Sequence, residues 1–305
     1  MATPAPLENE QVQTFQKLNT TLHPRKNSTS VIDVFSSNKL AVGSVLILML
    51  VFAFAFLGPL IYHSDQASTN LALENLPPSS RHILGTSPTG KDELGRLMVG
   101  GQSTLEVGLA VGLLSTTFGL VWGTIAGYIG GAVDALMMRI VDAMLSIPFL
   151  FFVVLLAAIV TPTVPLIIFV ISAVSWLSTA RLVRGETLKI KTYDYVIAAK
   201  GFGSNNRHLI KRHISPNVLG TLIVNGTLKV ADAILIFASL GYLGLGVAPP
   251  ATNWGTILAA GVNNIFNGYW WQLWPAAVLI ILTVLSVNVL GDAVRDVFER
   301  RLARR

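Results

Sequence analysis

Cysteine is absent from this chain, which excludes disulfides, thiolate metal sites and a cysteine nucleophile. Charge is scarce as well. Asp, Glu, Lys and Arg supply 12% of the 305 residues, where a soluble domain carries about 25%. Histidine is sparse: His23, His63, His82, His208 and His213 show no metal-ligand spacing, and His208 and His213, five apart on a predicted helix, are expected to face different ways. What remains is apolar. Hydrophobic residues make up 52% of the chain, in runs long enough to cross a bilayer, so the composition is that of an integral membrane protein built from helices.

Residues 1–39 are polar, contain Lys17, Arg25, Lys26 and Lys39, and lack sustained apolar periodicity, which predicts a flexible tail. The run from Leu40 to Tyr62 is too long for the core of a cleavable signal peptide and reads as a retained first span. Further spans are predicted at Leu105 to Gly130, Ile140 to Val160, Val164 to Ala180, Val218 to Leu243 and Trp274 to Gly291, six in all. Lys and Arg then set the orientation. The segment from Arg181 to Pro216 holds eight of them and the tail after Gly291 adds Arg295, Arg300, Arg301, Arg304 and Arg305, whereas Gly244 to Gln272 contains none. The positive-inside rule places both termini and the basic loop in the cytoplasm, with Trp270, Trp271 and Trp274 in an outer aromatic belt. The net charge of +6 is accounted for by that asymmetry and does not require nucleic acid. The implied division is a cytoplasmic tail (1–39), a first span with an extracytoplasmic loop (40–104), a core membrane domain (105–292) with a basic loop at 187–217, and a cytoplasmic basic tail (293–305).

The stretch Asp194 to Asn217, DYVIAAKGFGSNNRHLIKRHISPN, carries the most specific pattern. Asp194 is predicted to cap a short helix through Lys200, Gly201 and Gly203 to end it in a left-handed turn, Ser204 to cap a second helix running to Ile214, and Pro216 to stop it. Within the membrane, Gly119, Gly123, Gly127 and Gly131 recur every four residues, aligning small residues for close helix approach. Lys229 and Asp232 fall inside the fifth span, where each costs about 2.5 to 3.5 kcal/mol near the bilayer centre, so they pair with each other or face a wet interior. Gly85 to Asp92, GTSPTGKD, mimics a phosphate-binding loop, but Asp92 stands where a magnesium-binding hydroxyl is required and no strand precedes it. It is expected to bind no nucleotide.

Ala198 and Ala199 followed by Gly203 and a later proline resemble the coupling loop of ABC-importer permeases. His82 to Gly108, HILGTSPTGKDELGRLMVGGQSTLEVG, resembles the corresponding stretch of the permeases of dipeptide, oligopeptide and nickel ABC importers, of the second-permease type, departing from it at Ser87, Lys91, Gly95, Gln102 and Thr104. Asp134, Arg139, Asp142, Ser146, Pro148 and Phe149 match the same family, as do Leu243 to Trp254 (LGLGVAPPATNW) and Asn288, Gly291, Asp292, Arg295 and Asp296. The loop departs from the general pattern with Ile197, His213 and Ser215, while Arg212, His213, Pro216 and Asn217 fit the peptide-type variant.

The resemblance implies an all-α type I importer permease of six transmembrane helices in a bacterial or archaeal cell membrane. It pairs with a homologous second permease, receives substrate from an extracytoplasmic binding protein, and is driven by two ATPase subunits that bind ATP and magnesium. The chain itself holds no cofactor or metal and is no enzyme. ATPase coupling falls on Asp194, Ala198, Ala199, Gly203, Arg212, Pro216 and Asn217, and Lys229 and Asp232 are the candidates for the translocation path. Peptides are the cargo that the resemblance favours, with nickel, glutathione or another small solute as alternatives. An ion-coupled secondary transporter normally requires more membrane-embedded ionisable groups than Lys229 and Asp232. An integral membrane enzyme requires a catalytic set, and no Ser/His/Asp group or paired carboxylates gathers at one depth.

Overall fold

The computed structural model describes residues 38–148, 151–152 and 161–302, with side chains through 298. Its elements are helices: α1 Lys39–Ile61, α2 Glu93–Ile129, α3 Gly131–Leu145, α4 Val164–Ile190, α5 Asp194–Gly201, α6 Asn206–Tyr242, α7 Trp254–Asn264 and α8 Trp274–Leu302. Among the described residues five helices, α1, α2, α4, α6 and α8, are long and apolar enough to cross a membrane. The predicted third span begins within α3, and most of its remainder, 149–150 and 153–160, lies outside the described residues, as does nearly all of the predicted flexible tail.

Two spans are longer than their apolar runs. α2 begins at Glu93 because Asp92 caps it, its Oδ1 accepting from the Gly95 amide at 2.9 Å, and because Glu93 is neutralised by Arg96 at 2.6 Å. α4 continues to Ile190, its basic residues finding acidic partners on α3: Arg184 forms a bidentate pair with Asp134 at 2.6 and 2.7 Å, and Arg181 pairs with Asp142.

Helices surrounded by lipid gain little from hydrophobic burial alone, so close van der Waals contact has to hold them together. The most extensive pairing here is α2 with α4. Its seam runs through Gly119, Gly123 and Gly127, where a Cβ would lie 2.7 Å from the Thr179 side chain, 2.4 Å from Ala180 O and 2.9 Å from Arg184 O. Gly131 does not extend that face. It lies beyond the end of α2 with φ +58° and open space around it, because the chain turns at Gly130. Gly108 and Gly112 bring α2 equally close to α6, against Ile234 and Val230.

The segments 62–92 and 243–273 gather at one end of the bundle. Asp92 organises this cap: besides capping α2, its Oδ2 accepts from Tyr62 Oη at 2.8 Å and lies 2.9 Å from His82 Nδ1. Burial, reinforced by the hydrogen bond to Asp92 and its negative charge, pushes the Tyr62 phenol up to about 12, so Tyr62 remains a donor at neutral pH. The phosphate-loop mimic is folded around its own atoms. Ser87 Oγ accepts from the amides of Thr89 and Lys91, and Lys91 Nζ donates to Gln66 O at 2.7 Å. The expected belt of three tryptophans is corrected in one member: Trp271 is buried and donates from Nε1 to Thr86 O, while Trp270 and Trp274 are exposed. α7 tucks beneath the cap with a capping box at Asn253 and Thr256, and Trp254, fully buried, donates to Leu97 O at 2.9 Å. α1 joins through a π turn at Ala53–Leu57, where Gln102 Nε2 donates to Ala55 O. The opposite end carries residues 191–214, the start of α1 and the end of α8, as the Phe298–Gly220 contact shows for α8.

Candidate coupling loop and intramembrane charge pair

α5 forms a short helix as the sequence leads one to expect, but its ends are made differently. Tyr193 is the N-cap, without a side-chain bond, so Asp194 does not cap; it is exposed in the first turn, where a carboxylate complements the helix dipole. Gly201 remains helical. Gly203 alone takes the left-handed turn, at φ +83°, with its amide donating to Lys200 O at 3.0 Å and that of Ser204 to Ala199 O at 3.1 Å, a Schellman ending. The next cap is Asn205, whose Oδ1 accepts from the Arg207 amide, and not Ser204.

Pro216 does not stop the second helix. A π turn at Ile210–Ile214 shifts the register so that Pro216 falls in the first turn of the following α segment, where its missing N–H is tolerated, and α6 continues unbroken to Tyr242. The same wide turn brings His208 and His213 to one side, their ring centroids 6.0 Å apart, correcting the expectation that they diverge. The loop and the membrane helix are therefore one rod.

The inward side of α5 is Val196, buried, with half-buried Ala199 beside Val183, Ile190, Leu209 and Ile214. Its outward side presents Ile197, Ala198 and Phe202, the last 92% exposed. Arg212 and Pro216 are also exposed. Asn217 Nδ2 donates to Tyr195 Oη at 3.2 Å and to His213 O, tying α6 to α5. Tyr128, at the end of α2, donates from Oη to Asn206 Oδ1 at 2.7 Å, while Lys191 Nζ donates to Tyr128 O at 2.7 Å. Sequence reasoning missed both Phe202 and Tyr128. Phe202 was legible as a lone aromatic between two glycines; nothing around Tyr128 marks it, since its partner lies 78 residues away.

The six loop residues Asp194, Ala198, Gly203, Arg212, Pro216 and Asn217 thus share one exposed end of the molecule, with Ala199 beneath them. Lys229 and Asp232 are elsewhere, well inside α6. Lys229 Nζ donates to Asp232 Oδ2 at 3.1 Å, with the lysine side chain 16% exposed and the aspartate 57%. A third ionisable group inside an apolar helix, Glu106 of α2, is exposed and was passed over, being isolated between apolar neighbours. Among the described residues no group of three or more His, Cys, Asp or Glu is placed to hold a metal.

Comparison with known proteins bears on the whole of this architecture. Residues 119–304 match the family described as binding-protein-dependent transport system inner membrane component, and residues 29–78 match the N-terminal TM domain of oligopeptide transport permease C. The chain is 38% identical to the dipeptide transport system permease protein DppC of Bacillus subtilis, over 88% of this chain and 83% of that one. It is 36% identical to the oligopeptide transport system permease protein OppC of the same organism, over 88% of each. Its identity to the Escherichia coli K12 OppC is 38%, over 87% and 88% of the two chains. With a family match that covers more than half of its length and relatives this similar along most of it, the chain belongs to the family of binding-protein-dependent transport system inner membrane components.

Proposed function

We propose that this chain is a permease subunit of an ATP-driven peptide importer, forming half of a translocation path completed by a homologous permease. The observation that carries the reading is the 38% identity to a dipeptide transport permease over 88% of the chain. In this reading two ATPase subunits bind ATP and magnesium below the membrane and dock on the loop from Asp194 to Asn217, a binding protein delivers peptide to the cap end, and this chain performs no chemistry. A sixth crossing runs through residues 140–160, both termini are cytoplasmic, and the domain division is that of the sequence reading. The continuity of α6 supports the mechanism: a movement imposed on residues 206–214 has no hinge at Pro216 to absorb it and passes into the membrane segment. Asp194, Ala198, Ala199, Gly203, Arg212, Pro216 and Asn217 form the docking element, with Phe202 added from the structure. Lys229 and Asp232 line the path.

Purification of the intact complex tests this. Co-purification with two ATPase subunits and a second permease is expected, together with ATP-dependent peptide uptake by proteoliposomes supplied with the binding protein. Robust uptake by this chain alone would refute it. Mass spectrometry of the ligand held by the binding protein separates peptide from nickel or another small solute.

A further inference from the structure

Asp232 is exposed on a helix face that is unlike a lipid face. Asp232 and Ser239 lie on one side of α6, seven residues apart with exposed Leu235 between them, and Asn225, seven residues before Asp232, accepts from Thr179 Oγ1 of α4 at 2.8 Å. Neighbouring helices cover the other sides. Val230 and Ile234 meet glycines of α2, Ala233 and Phe237 pack with residues of α4, and Leu228 and Thr227 meet Gly291 of α8. A carboxylate 57% exposed at mid-span is expensive against hydrocarbon and cheap against a wet path.

The carboxylate on that face is prepared for a cation. Lys229, largely buried, donates to Oδ2 at 3.1 Å, while Oδ1 has no hydrogen-bond partner among the described residues. A carboxylate offers about four lone-pair sites, so one lysine leaves it unsaturated. The cationic group common to all unmodified peptides is the α-ammonium, which provides donors and a positive charge irrespective of side chains. We propose that Asp232 is a way-station for the α-ammonium of the passing peptide, with Oδ1 accepting from it while Lys229 keeps hold of Oδ2. This inference rests on the peptide-permease reading and adds to it a contact that tolerates any sequence but requires an unblocked N-terminus. Because Lys229 already takes part of the charge, the contact is weak enough for release.

Radiolabelled trialanine and N-acetyl-trialanine test it, by equilibrium dialysis against the purified permease–ATPase complex without binding protein, alongside uptake of trialanine with binding protein present. A contact to a charged group contributes about tenfold in affinity. Wild-type complex is expected to bind trialanine about tenfold more tightly than the acetylated peptide, a preference lost in Asp232→Asn and retained in Asp232→Glu. Equal binding of the two peptides by wild type, or no binding of either, while the complex still imports trialanine, overturns the inference and leaves the permease reading standing; an ion pair between Asp232 and the partner permease gives this result. Failure of the wild-type complex to import any peptide overturns both. If Asp232→Asn fails to assemble, the wild-type preference and Asp232→Glu still decide the matter.

Discussion

At Gly203 conformation and docking make opposite demands. Its φ of +83° strains any side chain, but aspartate tolerates left-handed backbone better than alanine does. No atom lies within 4 Å of a Cβ built there, so nothing in this chain blocks a side chain. If Gly203 matters only for the turn, Gly203→Ala is the more harmful change; if a partner surface comes close, Gly203→Asp is. We expect Gly203→Asp to reach the membrane at near-normal abundance and to lose uptake, by failed ATPase association or by hydrolysis uncoupled from transport, with Gly203→Ala much milder. The reverse order in a parallel measurement of abundance, co-purification and uptake refutes a docking role. At Lys229 and Asp232 the unequal exposure sets the direction. Asp232→Leu strands a lysine only 16% exposed, whereas Lys229→Met leaves a carboxylate that is 57% exposed. Complex yield is expected to fall most in Asp232→Leu, by an amount corresponding to about 3 kcal/mol, and to recover in the double variant. Equal assembly and transport in all three variants shows that the pair has no role.

Among the elements, the α2–α4 seam and the loop-to-α2 tether each make a distinct prediction. Gly123→Ala places a methyl 2.4 Å from the Ala180 carbonyl, which cannot yield without parting the helices, while Gly185 on the exposed side of α4 has open space. Thermal unfolding of the purified complex is expected to shift several degrees downward for Gly123→Ala. It should stay level or rise for Gly185→Ala, since alanine favours helix by about 0.5–1 kcal/mol over glycine. Tyr128→Phe removes the hydrogen bond to Asn206 without changing the core packing of the ring. If this tether helps to carry movement from the loop to α2, uptake falls severalfold while ATP hydrolysis persists; unchanged uptake per ATP assigns Tyr128 to packing alone.

For the whole molecule, the cysteine-free background makes orientation directly measurable. Asn205 and Asn263 are exposed at opposite ends of the bundle, one beside the basic loop and the other in the cap segment, which has no Lys or Arg. Asn263→Cys is expected to react with an impermeant thiol reagent in intact cells and Asn205→Cys only after permeabilisation. Labelling of Asn205→Cys in intact cells inverts the topology and with it the assignment of the loop as the ATPase face.

Hydrophobic run length and charge distribution, both local properties of the chain, determine the helical membrane class, the positions of the first, second, fourth, fifth and sixth spans, and the site of the basic loop. Gly203 was legible for the same reason: a left-handed turn selects glycine from the residue's own sterics. Partners distant in sequence decided the rest. The Arg184–Asp134 pair and the buried Trp271 depend on groups 50 and 185 residues away, so a local reading did not show how far α4 runs on past Ala180 or that Trp271 leaves the tryptophan belt. Pro216 is the plainest case. Locally it is a helix breaker, and only the π turn at Ile210–Ile214, part of a helix that carries on into the packed bundle, makes it an interior residue of the rod that joins the loop to the membrane.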